Sequence, residues 1–399
     1  MSATHPGTAE TSEIRFLSRL GPLLFLMSVF LLNFLQRIIL APLMPDIERD
    51  LKIGHEQAGS FFFIVSLGYC IMLLGSGFVS CRLTHKKTIV VSSIASGGAI
   101  FLVGLSPHLW SIRVVLLLLG LASGLYLASG IAAAVGLVNP KDRGKAMGVH
   151  EMAPTLAFTL SPLIAEALLG WFTWRGALML LGTVSIATGT AFAFFGKGGE
   201  FSGDAPNVKV IREVLGKSSF WIMVILFTLG FGATLGVYYM LPLYLVSEKG
   251  MDRTWANTLL GLSRIPTPAM AIFSGWMTDR FSLRRTMKAI LLSLAIVTAL
   301  LGLVPTSWIV LIVFIQSMLA ASFGPAGFAA LSKMGSKSLT NVAVSFTIPV
   351  SFLLGGGAVP AGMGIVGEAG SFASGFVVLG GLVLSGIVFA HYLRLGGDE

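Results

Sequence analysis

The sequence predicts an all-α membrane protein with twelve transmembrane helices in two pseudo-symmetric six-helix bundles, and three observations carry that prediction. Of 399 residues, 55% are hydrophobic and only 11% charged, with a mean hydropathy of +0.86. A soluble domain leaves much of its surface in water and cannot hide so much apolar area. The apolar residues also fall in twelve stretches long enough to cross a hydrocarbon core about 30 Å thick. Finally, the chain repeats itself. Gly77-FVS-Cys81-Arg82 matches Gly275-WMT-Asp279-Arg280 at an offset of 198, and LAPLMP at 40–45 matches MLPLYL at 240–245 at an offset of 200. Duplication of a six-helix unit explains both offsets, and parallel repeats of this kind occur in transporters.

The twelve stretches run roughly 19–44, 57–80, 88–106, 110–137, 145–169, 175–195, 219–246, 255–277, 286–305, 308–331, 340–364 and 369–393. Residues 196–218, rich in Gly, Ser, Pro and charge, separate a bundle at 1–195 from a bundle at 219–399 and read as a linker. Nineteen Lys and Arg fall in the loops on the linker side and six on the other side, which places both termini and the linker in the cytoplasm. The formal charge of +9 therefore reflects orientation in a cell (inner or plasma) membrane. No basic-aromatic patch for nucleic acid is present. Cys70 and Cys81 form neither a disulfide framework nor a metal-ligand set. No phosphate-binding Gly-x4-Gly-Lys-Ser/Thr occurs, so a gradient supplies any energy, and no cofactor or metal is expected.

Two cations sit inside apolar stretches. Arg37 lies beyond the middle of span one, and Arg264 lies about fifteen residues before Asp279 in span eight, some 22 Å along a helix. An intramembrane Arg costs about 3 kcal/mol on insertion scales, so such residues face a wet cavity or a partner. A planar guanidinium fork suits a carboxylate, phosphonate or sulfonate bidentately. Two readings stand for each. Arg37 contacts an anionic substrate, or snorkels outward or pairs with Asp46. Arg264 contacts the same anion, or pairs with Glu151 or Glu166. His150-Glu151 in span five can carry a coupling proton or gate, or can make an interhelical bond on the cytoplasmic side. Adjacent helical residues point about 100° apart and need not touch. Glu166 has Arg113 or Arg175 as prospective partners. Asn33, Tyr126, Tyr239 and Gln316 are polar groups able to line a substrate pocket or simply to pack.

Over its whole length the chain resembles the major facilitator superfamily. The loop pattern Gly-x-x-x-Asp-Arg-x-Gly-x-Arg-Arg is met at 275–285 except at Ser282, and is degraded at 77–87, where Cys81 replaces the acid and Thr84 the glycine. GLASGLYLASG at 120–130, NPKDRGKAMG at 139–148 and WRGALMLLG at 174–182 add to the resemblance. Asn33-Phe34-Leu35-Gln36-Arg37 is similar to the Asn-Tyr-x-Asp-Arg motif of the anion:cation symporter and organic-anion branch, which implies that Arg37 holds a substrate carboxylate. Gln36, Leu116 and Ser123 stand where that branch usually carries an acid, an arginine and a glutamate, so uniport, exchange and sodium coupling stand beside proton symport.

The resemblance implies a monomeric, multi-pass secondary transporter that moves a small organic anion by alternating access. Asp279, Arg280 and Arg285 would latch helices on the cytoplasmic side, Asp279 meeting a helix N-terminus. An exporter of drugs or amphiphilic metabolites is the nearer alternative. A membrane-embedded enzyme or a non-transporting sensor is the more distant one.

Overall fold

The computed structural model describes residues 16–203, 208–333 and 337–393. The terminal residues 1–15 and 394–399, with Arg15 and Arg394 of the charge count, lie outside the described residues. Among the described residues, eleven helices are long and apolar enough to cross a membrane. The first runs Phe16–Leu51, as α1 (Phe16–Ile38) and α2 (Leu40–Leu51), past the boundary expected at residue 44. Pro42 removes a donor one turn after Ile38. Ile39 alone separates the two helices, and Leu43 N still donates to Ile39 O at 3.4 Å, so the segment continues.

The next helices are α3 (His55–Ser80), α4 (His85–Leu105), α5 (Leu109–Gly124), α6 (Tyr126–Gly136), α7 (Arg143–Leu169) and α8 (Trp174–Phe195). A short amphipathic α9 (Val208–Leu215) follows, so part of the expected linker is helical. Then come α10 (Ser218–Phe231), α11 (Val237–Ser247), α12 (Arg253–Leu262), α13 (Thr267–Arg280), α14 (Leu283–Leu303), α15 (Thr306–Ser332), α16 (Lys337–Leu353), α17 (Val359–Glu368) and α18 (Phe372–Tyr392). Single π turns join α10 to α11 and α16 to α17 at the glycine-rich segments Gly232–Gly236 and Leu354–Ala358.

Span eight is not the continuous helix expected over 255–277. It breaks between α12 and α13, and the prolines explain why. Pro266 and Pro268 have no N–H to return to Leu262 and Arg264. Tighter bonds replace the missing ones: Ile265 N donates to Leu262 O at 3.1 Å, and Arg264 O accepts from Thr267 N at 3.2 Å and from the Thr267 hydroxyl at 2.7 Å. Irregular backbone at membrane depth survives where protein or a cavity surrounds it.

Packing repeats between the two parts of the chain. The α4–α8 contact has its counterpart in α14–α18, and α3–α5 in α13–α15. Lipid gives helices no hydrophobic reason to associate, so close backbone approach and interhelical hydrogen bonds do that work. On α4 and α8, Ser93 Oγ donates to Ser185 O at 3.2 Å and Ser185 Oγ donates to Ser93 O at 3.3 Å. One turn away, a Cβ on Gly182 would lie 2.6 Å from Gly97 O, so only glycine admits this approach. Outward-facing tryptophans ring both ends: Trp110, Trp171, Trp255 and Trp308 at one, Trp221 and Trp276 at the other. These are the positions of an interfacial belt.

On the face that carries the linker, residues 199–203 dock onto the 80–86 loop. Gly203 N donates to Ser80 O at 2.9 Å, His85 N to Phe201 O at 3.0 Å and Lys86 N to Gly199 O at 2.7 Å.

Candidate functional site

Both intramembrane arginines are buried, Arg37 at 2% and Arg264 at 3% exposure, so neither snorkels. Neither has a carboxylate partner among the described residues. Asp46 is taken by Arg253 at 2.8 Å and by Arg49 at 3.4 Å. Glu166 is taken by Arg253 at 3.2 Å and by Asn257 Nδ2 at 2.6 Å, and Glu151 lies against His150. The pairings expected as alternatives for both arginines are therefore corrected. So are those expected for Glu166: Arg175 meets Asp50 at 3.2 Å, and Arg113 lies 5.2 Å from the Trp110 ring centroid.

The two cations are accommodated differently. Arg37 sits in an aromatic cage, its Cζ 4.2 Å from the Tyr69 ring centroid, 4.8 Å from Phe34 and 5.4 Å from Phe352. A ring's negative face attracts a cation by about 0.5–2 kcal/mol when water is excluded. Arg264 stands in the break between α12 and α13, its Cζ 5.1 Å from Phe158 and 5.2 Å from Tyr238. It lines a cavity of about 200 Å³ with Thr155, Phe158, Thr234 and Thr267 and with small proline and alanine side chains. Arg264 Nε and Nη2, and Arg37 Nε, have no acceptor among the described residues. Phe34 and Phe158 meet edge to face at 5.3 Å and so link one arginine's surroundings to the other's.

The remaining expected site residues divide. Gln316 is buried and donates to Ala233 O at 2.7 Å. Asn33 donates to Ser92 Oγ at 3.3 Å, and its carbonyl oxygen has no partner among the described residues. Tyr239 stacks on Phe62 at 4.3 Å. The Tyr126 hydroxyl donates to Leu26 O at 3.0 Å, and Phe30 stacks on both Tyr126 and His150. None of these four lines the Arg264 cavity. His150 is buried, Glu151 is half-exposed, and the two do touch, Nδ1 to Oε1 at 3.1 Å. Asp279, Arg280 and Arg285 are exposed, and Asp279 makes no ion pair or hydrogen bond among the described residues, so the expected latch is not engaged in this conformer.

Sequence reasoning missed the clasp on the opposite, far face. There Arg253 bridges Asp46 and Glu166, Asn257 donates to Pro42 O at 3.0 Å, and His55 N donates to Glu368 Oε2 at 2.5 Å. These contacts join the first six spans to the last six. A signal was available: Arg253 is one of only six basic residues on a face crowded with Asp46, Glu48, Asp50, Glu166, Glu248, Asp252 and Glu368.

The fold is that of a multi-pass membrane protein, and one buried cation without a carboxylate partner among the described residues, Arg264, lines a cavity. The chain belongs to the Major Facilitator Superfamily, whose sequence profile matches residues 26–267. It is similar to the "Probable sulfoacetate transporter SauU" of Cupriavidus necator, 23% identical over 42% of this chain and 39% of that one. It is also similar to the hexuronate transporter of Bacillus subtilis, 28% identical over 41% and 39%. The chain thus spans about two-fifths of the length of these curated relatives. Among solved structures, the fold matches a bacterial homologue of the human lysosomal transporter Spinster in an inward-facing, occupied conformation, with TM-score 0.76, 15% identity, and coverage of 94% of this chain and 95% of that one. Both of these curated relatives are described as transporters.

Proposed function

We propose that this transporter moves a small organic anion of the carboxylate or sulfonate class, and that Arg264 makes the first contact with it. The observation that carries this reading is a buried guanidinium without a counter-ion that fronts a cavity of about 200 Å³. An uncompensated cation at membrane depth is costly, and an arriving anion supplies the missing partner. The cavity lies below the usual range of about 300–1,000 Å³ for drug-sized ligands, which favours a compact solute. Arg37 is the second arm, behind the Phe34–Phe158 pair. Support for an anionic cargo also comes from the sulfoacetate and hexuronate relatives.

The reading includes two bundles, 1–195 and 219–399, rocking about this site by alternating access, with the linker face and both termini cytoplasmic in the cell membrane. The transporter works as a monomer, and its coupling ion is a proton or sodium. His150–Glu151 is the first candidate for a proton, and the Asp279–Arg280–Arg285 turn engages when the linker face closes. Asn33, Tyr126, Tyr239 and Gln316 support the walls of the substrate path.

Export of amphiphilic metabolites is the second reading, favoured by an apolar cavity of about 340 Å³ among Leu73, Phe78, Leu127, Ile131 and Val344. One experiment separates the two. A ligand that binds only the folded protein raises its melting temperature. Lactate, oxalate, sulfoacetate and glucuronate should raise it for the wild type and not for Arg264→Ala, with proteoliposome uptake lost in parallel. Anion shifts and uptake that survive in Arg264→Ala sink the anion site and leave the export reading.

A further inference from the structure

We propose that His55, with Glu48 and Glu368, forms a proton-binding site between the first and last six spans, and that proton occupancy there holds the far face closed. This rests on the alternating-access reading above. The His55 imidazole Nδ1 lies 2.9 Å from one carboxylate oxygen of Glu48 and 3.0 Å from the other. Its backbone N–H, the first of α3, donates to Glu368 Oε2 at the end of α17. The approach is close enough that a Cβ on the preceding Gly54 would overlap the Glu368 carboxylate.

Every element packed on the imidazole bears on its charge. α2 contributes Glu48 and α17 contributes Glu368. α18 contributes the Phe372 ring at 4.8 Å. At the end of α11, Glu248 accepts from Ala373 N at 2.9 Å, one residue beyond that ring, and acts on the imidazole through space. Lys249 turns its ammonium to Val304 O at 2.9 Å, Arg49 turns to Asp46, and Glu56 on α3 itself is exposed.

While the far face is closed, the imidazole thus holds Glu48, the Glu368 carboxylate sits on the His55 backbone N–H, and Glu248 lies one residue beyond the Phe372 ring. Glu368 and Glu248 belong to the last six spans and leave when the face opens, whereas Glu48 stays. The closed form therefore binds the proton more tightly. A neighbouring opposite charge changes proton affinity by about tenfold or more. By linkage, acid on the far side favours closure, and loss of the proton leaves three carboxylates repelling across the seam. Proton uptake becomes part of the conformational cycle at a position separate from the arginines.

The test is a pair of spin-label distances in nanodiscs, with Cys70 and Cys81 replaced by Ser. Trp110 and Trp308 are exposed at the far-face ends of α5 and α15, and Phe194 and Trp276 are exposed toward the linker face. Between pH 5.5 and 8.5, the open-to-closed ratio read by the Trp110–Trp308 pair should rise about tenfold. His55→Gln should abolish this pH response. Glu368→Gln, which keeps an oxygen for the His55 amide and loses the charge, should reduce it. A Trp110–Trp308 distance indifferent to pH, in protein whose Phe194–Trp276 pair moves when sulfoacetate is added, overturns the proton site and leaves the anion site standing. A full pH response in His55→Gln overturns it as well.

Discussion

Arg37 and Arg264 are the same residue type, both buried, and the chain handles them in opposite ways. Arg37 lies at the end of a regular helical run and is wrapped by Phe34, Tyr69 and Phe352. Arg264 lies where the helix fails, and it faces a cavity. Rings soften a buried charge without neutralising it and leave little room for another ligand. A break with a cavity leaves donors unspent. The difference teaches that burial alone does not define a transport site: the informative quantity is how many of a cation's donors remain available and whether space exists in front of them.

The comparison can be broken most directly at Arg264. Truncating one partner of a buried hydrogen-bonded charge pair costs about 2–5 kcal/mol. Arg264→Ala should therefore lower the apparent affinity for the transported anion by about 30-fold or more, measured by concentration-dependent thermal shift. Arg37→Met should lose less, about tenfold, and its melting temperature without ligand should equal or exceed that of wild type, because an apolar isostere often replaces a buried ion at no cost or with a gain of about 1–4 kcal/mol. A larger loss from Arg37→Met than from Arg264→Ala would reverse the order of contact.

Phe158 sharpens the contrast, since its ring contacts Arg264 and meets Phe34, which stacks on Arg37. Phe158→Leu should weaken anion binding about three- to tenfold through the lost cation–π support, in titrations of the purified protein. Unchanged affinity would make the ring pair mere packing. The smallest effect belongs to Asp279→Asn. Asp279 is exposed in this conformer, so melting should move by no more than a change of about 0.5 kcal/mol implies. A large shift would mean that the turn is already engaged.

Much of the architecture was legible in the sequence because lipid is an unforgiving solvent. Apolar length, the bias of Lys and Arg, and the 198- and 200-residue offsets each constrain the fold without tertiary knowledge. The two arginines stood out because their burial is expensive. The break at 263–266 was half-legible: Pro266 and Pro268 were in view, but hydropathy does not register a lost hydrogen bond. The partners were not legible. Asp46 and Arg253 are 207 residues apart, and His55 and Glu368 are 313 apart. No local pattern records which of several far-face acids a given cation meets. The aromatic cage was hidden for the same reason, since Tyr69 and Phe352 come from different halves of the chain. His150 and Glu151 touch because a buried imidazole and a half-exposed carboxylate reach toward each other across the helix surface.

The interruption in span eight makes one segment into two levers. α12 carries Arg253 and Asn257, which fasten the far surface, while α13 descends to the basic turn on the opposite surface. In the proposed alternating-access cycle, Arg264 is the fulcrum. In that cycle, cargo that neutralises it acts at the pivot, seven residues from Asn257 and eleven from Arg253, so a solute can tell both doors of the passage that it has arrived without touching either.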